Sequence, residues 1–266
     1  MKKTFFKSDT VSGVAEDRVL VFLDGLQATS MRPGHLIART LVQKSNALLL
    51  SAVYPDGRGF AKKRLVSDIY WRIAGYPRVT LIGVSSGALL AHDVISYAKQ
   101  HGEDHEWDLI AVDGLSGPQD VLDERARWFR YLPALPLPGW VNSQIFSSDT
   151  PATEELDKKS REEWEEHLRR SHSFKFNTWV RQGRYFMNHP GPCYGVMDDV
   201  NTVFLRSYRD PFVRRDAYRP FQDVCERFIK LDIAEGSEHG NLLEFPRLWS
   251  GAFSQALDVL EHQRAA

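Results

Sequence analysis

Up to about residue 115, short β-rich apolar runs alternate with longer stretches of helical character, the pattern of a parallel sheet with crossover helices. The runs are Arg18 to Leu23 (RVLVFL), Ala47 to Val53 (ALLLSAV), Val79 to Val84 (VTLIGV) and Asp108 to Val112 (DLIAV). Each is apolar at nearly every position, which suits strands covered on both faces. The form returns at Thr202 to Arg206 (TVFLR) and Arg227 to Ile233 (RFIKLDI), and Pro246 to Gln263 has the apolar spacing of a closing helix. With 266 residues the chain is expected to build one α/β core carrying an insertion, not two independent units.

The insertion is read at 118–198, leaving 1–117 and 199–266 as the core. No strand pattern occurs there, Pro133, Pro136 and Pro138 punctuate it, and four of the seven Trp residues fall inside it. Thr150 as N-cap, Pro151 at the first helical position, and the pairs Glu154/Lys158 and Glu155/Lys159 predict a solvated helix from Thr150 to Arg170. Trp128, Trp140 and Trp179 stand among many further aromatics. Two expectations are open for them: a small core of the insertion itself, or a roof over a pocket that contacts the apolar part of a small-molecule substrate.

Lys and Arg (34) balance Asp and Glu (35), so no summed field favours a nucleic acid or an anionic membrane surface. No apolar stretch suggests a membrane span, and Lys7, Ser8 and Asp9 interrupt the opening before a signal-peptide core could form. Two cysteines provide neither a disulfide framework nor a metal spacing, and a cytoplasmic setting is expected. His101 and His105 flank Glu103 and Asp104 without an evident third ligand, so a charged surface loop is expected there and no metal.

The chemical signal is Gly83-Val84-Ser85-Ser86-Gly87, between the VTLIGV strand and the helical stretch ALLAHDVISYAKQ. A serine exposed on a sharp strand-to-helix turn can act as a nucleophile, and the flanking glycines let strand and helix approach it. His239 follows the last predicted strand in a loop at the sheet edge where Ser85 would lie, the address of a general base. Two aspartates compete to orient that histidine, Asp210 after TVFLR and Asp113 after DLIAV. Asp210 is favoured, because the acid then sits on the strand just before the histidine's. An oxyanion hole would draw one N–H from Ser86 and one from the Asp24-Gly25-Leu26-Gln27 loop, with Leu26 the expected donor.

In these residues the chain resembles the α/β-hydrolase superfamily, in its cap-bearing branch, over nearly all of its length outside the insertion. The Gly83–Gly87 motif matches the family's nucleophile elbow, and Pro55-Asp56-Gly57-Arg58-Gly59 resembles its Asp-x-Arg-Gly turn. Asp210 and His239 match the acid and base positions, while Asp24 stands where the family usually has His. The resemblance implies an α/β-hydrolase fold, a mostly parallel sheet flanked by helices with an inserted helical cap. It also implies a cofactor-free serine hydrolase of carboxylic esters or thioesters. Carbon–carbon bond hydrolysis by the same triad and a non-catalytic binding protein that keeps the fold are the alternatives. Relatives that open epoxides or dehalogenate alkanes carry Asp at the elbow, which Ser85 argues against.

Overall fold

The computed structural model describes residues 5–9, 17–25, 33–53, 62–120, 158–159, 162, 183–210, 213–233, 237, 242 and 245–265. Seven strands form one sheet: β1 (Phe5–Asp9), β2 (Arg18–Leu23), β3 (Leu48–Val53), β4 (Arg78–Val84), β5 (Glu106–Val112), β6 (Asn201–Arg206) and β7 (Phe228–Asp232). Their spatial order is β1-β3-β2-β4-β5-β6-β7, with β1 antiparallel to β3 and every other pairing parallel. The six expected strands are present within a residue or two of their predicted ends. β1 was not foreseen: its sequence FFKSD has no continuous apolar run.

The apolar runs are continuous because alternate residues serve opposite faces. Val19, Val21 and Leu23 join Leu81, Leu109, Ala111 and Phe204 in one core layer, whereas Leu20 and Phe22 join Ile82, Val84, Ile110 and Val203 in the other. Helices α2 (Lys62–Ile73) and α3 (Gly87–Gln100) cover the first layer through Val66, Ile69, Leu90 and Val94. Helices α1 (His35–Ser45) and α6 (Pro246–Ala265) cover the second through Ile37, Leu41, Trp249 and Phe253. Two short helices, α4 (Tyr194–Met197) and α5 (Arg219–Gln222), flank β6 in the chain. Among the described residues no helix is long and apolar enough to cross a membrane.

One polar cluster interrupts the apolar interior. Asp108 is fully buried and accepts hydrogen bonds from Thr80 Oγ1 and Asn201 Nδ2, both at 3.0 Å, and it forms an ion pair with Arg264 at the end of α6. Arg18 reaches Glu261 of the same helix at 2.5 Å. These contacts join β2, β4, β5 and β6 to the last turns of α6 at the sheet edge opposite Ser85.

The order of strands reverses between β2 and β4: β2 leads outward to β3, β4 outward to β5. In open α/β sheets the crevice at such a switch point, beyond the carboxyl ends of the strands, is where ligands bind. The residues that follow β2 and β4 are Asp24-Gly25 and Ser85-Ser86.

Candidate active site

Ser85 has φ +53°, one of three non-glycine residues with positive φ among those described. That conformation costs on the order of 1–3 kcal/mol and persists only where the surroundings enforce it. Here three hydrogen bonds do so. The Ser85 N–H donates to the Val112 carbonyl at 2.8 Å, and the Ser85 carbonyl accepts from Leu115 N–H at 3.1 Å and Ala88 N–H at 3.2 Å. The turn is thereby fastened to the end of β5 and to the first turn of α3.

The glycines of the motif are explained by what a side chain would meet. A Cβ at Gly83 would lie 2.6 Å from the Ala88 backbone, and one at Gly87 would lie 2.3 Å from the Leu23 carbonyl oxygen. Both obstacles are main chain and cannot swing aside, so the close crossing of β4, α3 and β2 requires glycine at both places. A Cβ at Gly25 would come within 3.1 Å of Ser85 Cβ and 3.6 Å of Ser85 Oγ. The segment after β2 therefore passes directly beside the serine side chain. Ser85 is half-buried, and Ser86 occupies the N-cap of α3.

Asp24 turns its carboxylate onto its own neighbour, Oδ1 accepting from Gly25 N–H at 2.6 Å. That bond commits the Gly25 amide. Leu26, the expected second oxyanion donor, lies outside the described residues.

The competing aspartates have different surroundings. Asp113 is buried, with φ +44°, and both of its oxygens are occupied by Ser207, which donates its N–H at 2.7 Å and its hydroxyl at 2.5 Å. It braces the end of β5 against the end of β6. Asp210, in the loop after β6, is only half-buried and its Oδ1 accepts from Val213 N–H at 2.9 Å. This loop is fastened to the one after β7: fully buried Ser237 accepts Tyr208 N–H on its hydroxyl at 2.8 Å and Arg209 N–H on its carbonyl at 3.1 Å. Ser237 stands two residues before His239 in the chain. His239, Trp128, Trp140 and Trp179 lie outside the described residues. Ser207 carried no periodic or motif signal in the sequence, and Ser237 stood only as a neighbour of His239; their partners reveal what they do.

A cluster on α3 has the composition of a metal site. His92, Asp93 and His189 offer three ligand atoms within 4.8 Å of one another. The protons argue otherwise. Gly191 N–H donates to His189 Nδ1 at 3.0 Å, so the neutral ring carries its hydrogen on Nε2, which faces Asp93 Oδ1 at 3.4 Å. A metal at Nε2 would demand a hydrogen on Nδ1, against the Gly191 amide. Asp93 Oδ2 is held by Lys62 at 2.9 Å and by the Tyr185 hydroxyl. Burial pushes this carboxyl up, but the facing His189 ring, the Tyr185 hydroxyl and the Lys62 ammonium outweigh it and hold it at about 2. His92 is pushed down to about 4 by burial and by the neighbouring His189, so it is neutral. The cluster is a buried brace between α2, α3 and the 183–191 segment. His101 and His105 bond the carbonyls of Tyr97 and Tyr76 through Nδ1. Cys225 is buried beside Thr202, its thiol pushed up to about 11 by burial, whereas Cys193 is exposed.

No family model matches this sequence, and no curated protein does. Solved structures do match in shape. A carboxylesterase of the thaumarchaeon Nitrososphaera gargenis is similar at 14% identity and TM-score 0.61, with 98% of this chain and 96% of that one covered. The type II thioesterase BorB of the borrelidin biosynthetic cluster is similar at 17% identity and TM-score 0.62, covering 95% and 96%. MGS-M2, an α/β hydrolase enzyme from a Medee basin deep-sea metagenome library, is similar at 13% identity and TM-score 0.61, covering 96% and 93%. The chain has the α/β-hydrolase fold.

Proposed function

We propose that the protein is a serine hydrolase that cleaves a carboxylic ester or thioester through an acyl-enzyme on Ser85. The observation that carries this reading is the Ser85 elbow: a strained serine between two obligatory glycines, at the switch point of the sheet, with Gly25 beside its Oγ. Ser85 Oγ attacks the carbonyl carbon while His239 takes its proton. The amides of Ser86 and Leu26 receive the developing oxyanion, helped by the N-terminus of α3. The carbonyl re-forms as the alcohol or thiol departs with the proton held by His239. Water, deprotonated by His239, then releases the acid and regenerates Ser85. Asp210 orients the imidazole and stabilises its charged form. This chemistry uses no cofactor. Residues 118–198 form a cap in which Trp128, Trp140 and Trp179 contact the apolar part of the substrate.

The test is labelling by a fluorophosphonate probe together with turnover of p-nitrophenyl acyl esters. Wild type should be labelled and active, whereas Ser85→Ala should be unlabelled, folded, and reduced in kcat by roughly a million-fold, the scale known for loss of a triad nucleophile. Labelling or turnover that survives in Ser85→Ala would end the assignment.

A further inference from the structure

Between the end of β6 and the 213–218 segment lies a cavity of about 330 Å³. Arg206, Arg209, Arg214 and Arg215 line it together with Tyr208 and Tyr218. In a chain of net charge −1, the stretch Arg206–Arg219 carries five arginines against Asp210 and Asp216. Two of the lining arginines have carboxylate partners: Arg206 with Asp232 at 2.6 Å and Arg214 with Asp216 at 3.2 Å. Arg206 also donates to the Arg215 carbonyl at 3.1 Å, which fixes that backbone above the strand end. Among the described residues Arg209 and Arg215 have no carboxylate within 4 Å, and the Arg209 guanidinium lies over the Tyr208 ring. Asp113 and Asp210 line the cavity too and keep their negative charge, Asp113 accepting from Ser207 and Asp210 from the Val213 amide, so the arginines at the wall must outnumber them for an anion to enter. Lys230, over the Tyr218 ring, is ion-paired with Asp232 at 3.2 Å and adds no free charge.

Two guanidiniums without carboxylates match a dianion better than a single carboxylate, and the planar donor fork of arginine suits phosphate oxygens. The volume exceeds that of a bare ion and stands at the lower end of small-ligand pockets, roughly 300–1,000 Å³. We propose that this cavity binds the phosphate of a phosphate monoester or a diphosphate through Arg209 and Arg215, the two tyrosines contacting the group that bears it. Its wall at Asp113 is one residue past Val112, whose carbonyl accepts the Ser85 N–H, so the phosphate would sit about two strand spacings, ~10 Å, from the nucleophile. Such a phosphate belongs either to the substrate itself or to a separate effector; the assignment of that role, unlike the binding, rests on the hydrolase reading.

Titration calorimetry of pyrophosphate into the full chain at ~150 mM salt, near physiological ionic strength, decides the binding. One site is expected, unchanged in Ser85→Ala and in the distant surface variant Lys44→Ala, and weakened at least tenfold in Arg209→Ala and in Arg215→Ala, with Tm unchanged. No saturable binding, or binding that persists in both arginine variants, overturns the proposal. The role is read from 1-butyryl-glycerol and its 3-phosphate. A kcat/KM at least tenfold higher for the phosphorylated ester, lost in both arginine variants, assigns the phosphate to the substrate. Pyrophosphate that alters turnover of the neutral ester assigns it to an effector. Arginine-dependent binding with neither effect in an active enzyme means an adventitious ion only, and that too overturns the proposal. A protein that turns over no ester fails the hydrolase reading, while the calorimetry still decides the cavity.

Discussion

Asp113 and Asp210 each follow a strand at the edge that carries Ser85, yet the two have different hydrogen-bond partners. Asp113 accepts both the N–H and the hydroxyl of Ser207 in a buried site, so Asp113→Asn keeps one acceptor and takes from the buried Ser207 hydroxyl hydrogen the oxygen it donates to. That should cost about 1–3 kcal/mol of stability with kcat little changed. Asp210→Asn should do the reverse, lowering kcat by about ten-thousand-fold, as a misoriented histidine does in a serine protease, with the unfolding midpoint unchanged. Urea denaturation and ester turnover measured on both variants give the split, and a catalytic collapse in Asp113→Asn would transfer the role of acid to it. At the same scale, His92 is a buried group whose pH dependence has a definite sign. Lys62, Asp93, His189 and Cys193 face it, and its pKa near 4 lies below the ordinary ~6.5. The unfolded chain therefore binds a proton that the folded one does not, so stability is full above about pH 6.5 and falls as the pH drops toward 4. Asp93, held at about 2, loses its own contribution only below about pH 4. Between pH 7 and 4.5 wild type should lose about 2 kcal/mol more than His92→Gln in paired urea titrations. Equal losses would mean that His92 charges freely in the folded protein.

Among the elements, α6 is fastened to the sheet in two ways. Along its length Trp249, Phe253, Leu257 and Leu260 fill the second core layer, each contributing roughly 1.5–3 kcal/mol by burial. At its end Arg264 is the cationic partner of fully buried Asp108. Removing one member of a buried pair strands the other, at about 3–5 kcal/mol, whereas an exposed pair contributes at most about 1 kcal/mol. Arg264→Ala should accordingly lower the unfolding free energy by about 3 kcal/mol or more, and Lys44→Ala, which breaks the exposed pair with Asp258, by less than 1 kcal/mol. Similar small losses in both variants would show that the Thr80 and Asn201 hydrogen bonds suffice for Asp108. The helix periodicity from Pro246 to Gln263 was legible because its apolar stripe is local. Its salt-bridged end was not, since Arg264 and Asp108 are far apart in the chain and nothing near Arg264 marks it as anything but a surface cation.

For the molecule as a whole, the connection from Val112 to Asn201 joins two adjacent parallel strands, where a dozen or so residues would serve. If the chain between them roofs the site, Trp128→Ala, Trp140→Ala or Trp179→Ala should shift the preferred acyl length in a p-nitrophenyl ester series by two or more carbons while keeping turnover within about tenfold, the scale on which a hydrophobic pocket discriminates methylenes. Loss of Tm in all three without a change in length preference would show rings that only hold the segment together. The β4-elbow-α3 unit, the two-sided strands and the candidate nucleophile were readable without coordinates, because apolar period, strand-to-helix junction and glycine spacing are properties of contiguous residues. The strand order, with β1 reversed at the edge, was decided only by pairing across the sheet. Likewise the hydrogen-bond partners of Asp113 and of the Asp210 loop, Ser207 and Ser237, reach across from other strand ends, and the α3 cluster turned on one amide hydrogen at Gly191. A hydrogen bond is specified by where its partner lies in space, and in these cases the partner comes from a different loop or strand, or depends on which nitrogen of a ring bears the proton.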